Sequence, residues 1–257
     1  MFVLRCRIFS LVALINLTIL CSNLSLAIKG GEKIDIQKVP WTVAVHTNPG
    51  EKSLICGGAI LSEWFVLTAA QCVFDQKPET IVVQYGSSNL WEDPGKSDSY
   101  VSKVHLLLYR NDTMENDIAI LEFWRPLQLD QVKSKPVKLP KVEFDPMIGS
   151  EVLVSGYGDG QSMTPKDFDL KSANLTVTNR DECKTKFPQR YIGLQVFCAQ
   201  QEGVSLESGD AGDPTVQNDT LVGVAIYFPE RPEGAPEVFT KVGSYVSWIQ
   251  DIIKKKS

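Results

Sequence analysis

Imidazole is the side chain whose ordinary pKa lies close enough to neutrality to pass protons in both directions. This 257-residue chain has two, His46 and His105. His46 lies in a strand-to-turn stretch, His46-Thr47-Asn48, and His105 in the β-like run Val104–Leu108. Both read as structural or solvated side chains rather than as a base or a ligand. Of six cysteines, Cys6 and Cys21 belong to the first residues, leaving Cys56, Cys72, Cys183 and Cys198. An even number in a secreted chain favours disulfides. The spacings suggest Cys56–Cys72 and Cys183–Cys198, each closing a short loop worth about 3 kcal/mol in the chain-entropy model. Neither pair has tight zinc-ligand spacing, so no metal is expected. Asn111, Asn174 and Asn218 each begin an N-glycosylation sequon, which predicts surface positions.

The secreted reading comes from residues 1–27. Arg5 and Arg7 precede an apolar run from Ile8 to Cys21, and Ser25-Leu26-Ala27 has the small-x-small form of a signal-peptidase site. A membrane anchor is disfavoured, because the run is short and Asn16 breaks it; no later stretch is apolar enough to span a bilayer. Removing residues 1–27 takes two basic and no acidic side chains, leaving 24 basic against 31 acidic, a net −7. That balance argues against a nucleic-acid partner held by general charge attraction. Residues 28–257 form the expected domain, and they are enough to bury a sizeable core.

Elements must then position any chemistry. Short runs rich in β-branched and aromatic residues recur at Trp41–Val45, Ile81–Tyr85, Tyr100–Leu108, Ile118–Phe123, Val152–Tyr157, Leu175–Thr178, Leu221–Tyr227 and Val238–Val242. Turn residues break them apart, as at Asn48-Pro49-Gly50, Asp93-Pro94-Gly95 and Asp145-Pro146. The pattern is an all-β sandwich or barrel. Only the end reads as helix: across Ser244–Lys256, Tyr245, Trp248, Ile249 and Ile252 recur at three- and four-residue steps. Lys254, Lys255 and Lys256 are expected in its last turn, complementing the helix dipole.

Several segments, in order, resemble the chymotrypsin/trypsin-like serine proteases. Ile28-Lys29-Gly30-Gly31 resembles that family's mature amino terminus. Cys56-Gly57-Gly58-Ala59-Ile60-Leu61, Trp64-Phe65-Val66-Leu67-Thr68-Ala69-Ala70 and Cys72 resemble its histidine block. Asn116-Asp117-Ile118-Ala119-Ile120-Leu121 resembles the aspartate block, and Gly156-Tyr157-Gly158 stands where Gly-Trp-Gly is usual. Gly209-Asp210-Ala211-Gly212-Asp213-Pro214 resembles the serine block, and Tyr245-Val246-Ser247-Trp248-Ile249 the terminal helix. The resemblance spans the chain after residue 27. It implies an all-β fold of two six-stranded antiparallel β-barrels with a cleft between them and a C-terminal helix.

The family's chemistry needs a serine nucleophile, a histidine base and a buried aspartate that orients the imidazole. The resemblance puts the histidine at Gln71, the aspartate at Asp117 and the nucleophile at Ala211. An amide is no base and a methyl group no nucleophile. This family supplies the general template, and loss of either role costs roughly 10⁶-fold in a protease of unrelated fold that carries the same triad. Ser208 is nearby in sequence and has no visible activator. Gly209 and Ala211 still carry the backbone N–H groups of an oxyanion hole, although Asp213 replaces the family's second glycine. The resemblance also implies a degenerate pocket. Ser205 stands at its floor, Phe228 and Glu237 replace glycines that line it, and Glu207 replaces a cysteine, so a third disulfide is absent. Ala27 stands where a basic activation residue is usual. Signal cleavage would expose Ile28 directly, and its amino group is expected to pair with Asp210.

Within this superfamily the chain most resembles the scabies mite inactivated protease paralogues, which are related to mite group 3 allergens. That resemblance implies an extracellular binding protein without cofactors, with host partners that are chiefly complement components. A decoy or cofactor for an active protease or its inhibitor is the alternative, and a hydrolase with unconventional chemistry the least favoured reading.

Overall fold

The computed structural model describes residues 27–47, 54–91, 96–158, 168–228, 232 and 234–256. Residues 1–26, with the expected signal segment, and the turns expected at Asn48-Pro49-Gly50 and Asp93-Pro94-Gly95 lie outside them. Thirteen strands are described: β1 (Glu32–Lys33), β2 (Thr42–Thr47), β3 (Leu54–Ser62), β4 (Phe65–Thr68), β5 (Ile81–Tyr85), β6 (Lys96–Leu106), β7 (Ala119–Phe123), β8 (Glu151–Gly156), β9 (Lys171–Thr178), β10 (Val196–Gln200), β11 (Pro214–Gln217), β12 (Thr220–Ile226) and β13 (Glu237–Lys241). Strands β2, β3, β4, β7, β6 and β5 close a barrel in that order. The pairings β8–β9–β10–β13–β12–β11–β8 close a second, with β1 added alongside β9. Every strand pairing is antiparallel, so the two six-stranded barrels expected from the resemblance are the architecture.

Burial on both faces marks the strands of the first barrel. In β7, Ala119, Ile120, Leu121 and Phe123 are buried and Glu122 is half-exposed. β3 is buried along most of its length, because one face fills the barrel and the other meets the second barrel. Gly57 makes that meeting possible: its N–H donates to the Ala211 carbonyl at 2.8 Å, across the seam. Other seam bonds run from Thr42 to Ser155 hydroxyl at 2.7 Å and from Thr240 Oγ1 to the Asp117 carbonyl at 2.7 Å. Disulfides join Cys56–Cys72 and Cys183–Cys198. Each staples one barrel to the segment that follows or precedes one of its strands.

Two helical expectations need correction. The chain has an α-helix before its end, α1 (Arg180–Lys186). Asn179 caps it by accepting the Asp181 N–H, acids occupy its first turn, and Lys184 and Lys186 its last. The terminal α-helix, α2, is shorter than expected, Val246–Ile253, and follows a 3-10 turn at Val242–Tyr245. The three lysines therefore lie beyond its last turn. Lys256 leaves the helix axis to bind Glu122 at 2.7 Å and the Phe123 carbonyl at 3.1 Å, with its ammonium 4.5 Å from the Trp64 ring centre. A carboxylate and a ring on another element outcompete a solvated helix end.

Candidate functional site

The seam brings together residues far apart in sequence. Gln71 lies in a 3-10 turn after β4, and Asp117 immediately before β7. The Gln71 backbone N–H donates to Asp117 Oδ1 at 2.7 Å, and its side-chain amide donates to Asp117 Oδ2. Asp117 is fully buried, and burial pushes its carboxyl up to about 6; the bonds from Gln71 and the Ala70 backbone oppose that rise. The other end of the Asp117 segment is fixed by Tyr245, whose hydroxyl donates to Asn116 Oδ1 at 2.8 Å. Ala211 lies across the seam, buried, at the end of the 3-10 turn Ser208–Asp210. Its N–H donates to the Ser208 carbonyl at 3.4 Å. One of the two N–H groups expected for an oxyanion hole is thus turned into its own loop.

The loop holding Ala211 is built on Asp210. Glu207 N–H donates to Asp210 Oδ2 at 2.7 Å, and Asp210 N–H returns to the Glu207 carbonyl at 3.0 Å. The nitrogen of Ile28, a wholly buried residue, lies 3.2 Å from both Asp210 oxygens. Burial pushes the Asp210 carboxyl up to about 7 against these hydrogen bonds, helped by the nearby Glu237 and Glu207 charges.

Around the expected pocket, Phe228 is buried. Its ring lies 5.0 Å from that of Phe187, with the Arg190 guanidinium 5.3 Å from its centre. Glu237 is also buried and accepts the Leu206 N–H at 3.2 Å, so the charge has a partner rather than a route to water. A cavity of about 940 Å³ is lined by Ser205, Glu207, Tyr227, Phe228 and Glu237 together with Lys29 and the 200–204 stretch. Gln71, Asp117 and Ala211 are not on its wall.

Neither histidine joins this assembly. His46 Nε2 meets Gln84 Oε1 at 3.1 Å, and burial lowers its pKa. His105 Nε2 meets Glu122 Oε2 at 2.8 Å, in the cluster that holds Lys256. Among the described residues no three His, Cys, Asp or Glu side chains stand together as a metal site, and no helix is long and apolar enough to cross a membrane. Asn111, Asn174 and Asn218 are all exposed. Asn218 and Asp219 take the positive-φ turn between β11 and β12. Sequence reasoning named Asp213 only as a replaced glycine; its carboxyl proves to be wholly buried in the seam with neither oxygen hydrogen-bonded among the described residues.

Two closed barrels, a seam holding the 71, 117 and 211 positions, and a buried Ile28–Asp210 contact define a chymotrypsin-type architecture. The trypsin family matches residues 28–249, and the chain belongs to that family. Among solved structures it is similar to the scabies mite inactivated protease paralogue S-I1, at 78% identity with a TM-score of 0.87, covering 89% of this chain and 100% of that one. The paralogue S-D1 of the same mite is 42% identical with a TM-score of 0.82, over 89% and 98% of the two chains. A relative named as a peptidase is more distant: mouse kallikrein 1-related peptidase b1 is 32% identical over 88% of this chain and 89% of its own length. The two most similar of these structures are thus of proteins named as inactivated.

Proposed function

We propose that this chain is a secreted pseudoprotease that binds host proteins, chiefly complement components, and interferes with host defence without cleaving them. The observation that carries the reading is the Gln71–Asp117 pair. Gln71 occupies the place of a histidine base, and both its backbone N–H and its side-chain amide bond to Asp117. Ala211 supplies no nucleophile, and its N–H is bonded to Ser208. Phe228 and Glu237 bring bulk and a carboxyl to places where the family's pattern has glycines. What remains is a rigid frame with large loops, which is suited to recognition.

Signal cleavage after Ala27 is part of this reading. A free amino group at Ile28 would carry its positive charge to the buried Asp210 carboxylate, replacing a neutral donor by an ion pair. The molecule would leave the cell in the activated shape with no zymogen step. Amino-terminal sequencing of the secreted protein then reads Ile28 first, and any other start contradicts this step.

The test of function is capture from host plasma on the immobilised secreted protein, followed by measurement of complement deposition. Recovery of complement components and reduced deposition are expected. Recovery of a protease or a protease inhibitor instead would favour the decoy or cofactor reading.

A further inference from the structure

Among the described residues, Asp213 is the carboxyl with both oxygens buried and both without a hydrogen-bond partner. It fits because two glycines face it. A Cβ at Gly57 on β3 would stand 1.9 Å from Oδ1, and one at Gly156 on β8 would stand 1.8 Å from Oδ2. The ionisable groups facing it are Asp210 and the Tyr157 phenol. Neither offers a positive charge. The residue after Asp213 is Pro214, which opens β11.

We propose that the folded chain cuts itself at the Asp213–Pro214 bond, with the free Asp213 carboxyl attacking its own main-chain carbonyl. One carboxyl oxygen bonds to the carbonyl carbon of the same residue, closing a five-membered ring. The carbon–nitrogen bond to Pro214 then breaks. The carboxyl proton passes to the proline nitrogen, which leaves as a secondary amine. The cyclic anhydride left on Asp213 takes up one water and opens to two carboxyl groups. The sum is hydrolysis of one peptide bond, with no oxidant or reductant.

Three features of the site serve this step. The carbonyl under attack accepts the Ala225 N–H at 3.0 Å, a donor placed where negative charge builds during attack. No hydrogen bond among the described residues restrains the attacking carboxyl. Burial, reinforced by the nearby Asp210 carboxyl, holds Asp213 far above the usual carboxylate range, so it keeps the proton that the leaving nitrogen needs. An ordinary aspartate with a pKa near ~3.9 is un-ionised in about one molecule per thousand at neutral pH. The folded site therefore holds a larger reactive fraction than an unfolded chain.

The sequence contains its own control. Asp145–Pro146 has the same bond type, but Asp145 accepts from Arg180 at 2.9 and 3.1 Å and from Lys241 at 3.5 Å. Those bonds hold its carboxyl on two cations, so it is not unrestrained as the Asp213 carboxyl is. Both disulfides lie before residue 213, so neither joins the two products. The piece beginning at Pro214 carries β11, β12, β13 and α2, and it is retained non-covalently, by packing and by the β8–β11 and β10–β13 strand pairings.

The experiment incubates the purified secreted protein near neutral pH for several days, folded and in urea. Products are read by intact mass and by denaturing gel without reductant. The expected result is a pair of fragments ending at Asp213 and beginning at Pro214. They should form at least severalfold faster in the folded protein than in urea, without cleavage at Asp145–Pro146. Asp213→Gly abolishes the fragments, and Asp213→Asn, which keeps the volume but has no acid proton, sharply slows them. A cooperative melt of either variant shows that it is folded. Absence of the Pro214 fragment from the folded protein, equal rates in urea, or an undiminished fragment from a folded variant would overturn the proposal.

Discussion

An amide set against a buried carboxylate is well bonded and chemically inert. Gln71 gives Asp117 two hydrogen bonds but cannot neutralise it, so the carboxyl is held up to about 6 by burial. The sign of the consequence follows from linkage. The folded pKa lies above the unfolded value of ~3.9, so the folded state holds the proton longer and stability declines as pH rises from about 4 to about 6. The effect is on the order of 3 kcal/mol for this group. Surface carboxyls with lowered pKa, such as Asp130 and Glu122, act the opposite way, and they do so below that window. Asp117→Asn removes the titration while leaving an acceptor for the Gln71 N–H. Urea unfolding of the variant should therefore show a flatter stability curve between pH 4 and 6, by about 2–3 kcal/mol. An unchanged slope would mean that Asp117 titrates normally. Some of this was legible from residue type alone: Gln71 and Ala211 cannot do the work of a base and a nucleophile in any fold. The isolation of Asp213 was not legible, because it depends on Gly57 and Gly156 standing opposite it across the seam.

At the scale of elements, the loop from Ser205 to Ala211 is held without the disulfide that the family's pattern implies. Glu207, in place of a cysteine, exchanges backbone and side-chain hydrogen bonds with Asp210 and closes the 3-10 turn. Phe228, two residues past β12, packs against Phe187 with the Arg190 guanidinium over its ring. These are properties of packed segments, and restoring two side chains does not undo them. The double variant Gln71→His, Ala211→Ser should thus show no peptidase activity above background on a broad peptide library. Robust turnover would mean that the pocket and oxyanion loop adapt to substrate. Strand order and barrel count were readable because the sequence blocks run in the family's order from Ile28 to Trp248. The boundaries were less so. Leu54–Ser62 is a strand despite Gly57-Gly58 at its centre, and those glycines weaken any local β signal. Helix α1 did carry a local signal, an Asn cap followed by acids and then lysines. The position of Lys256 carried none, since Glu122 and Trp64 come from other elements.

For the whole molecule, the features bear together on one conclusion. The barrels, their seam and the Ile28–Asp210 contact keep the frame of an active trypsin-family protein. At its centre Gln71 presents an amide and Ala211 a methyl group, neither of which can act as base or nucleophile toward a substrate. The neighbours named as inactivated paralogues share that frame at 78% and 42% identity. Self-cleavage at Asp213 would involve one bond of its own chain and no foreign substrate, so it leaves the conclusion intact. The most direct test is reaction of the folded, secreted protein with a fluorophosphonate reagent that labels activated serines, followed by mass spectrometry of the intact chain. The account predicts no adduct under conditions that fully label an active trypsin-family enzyme. A stoichiometric adduct on Ser208, or on any other serine, would contradict it.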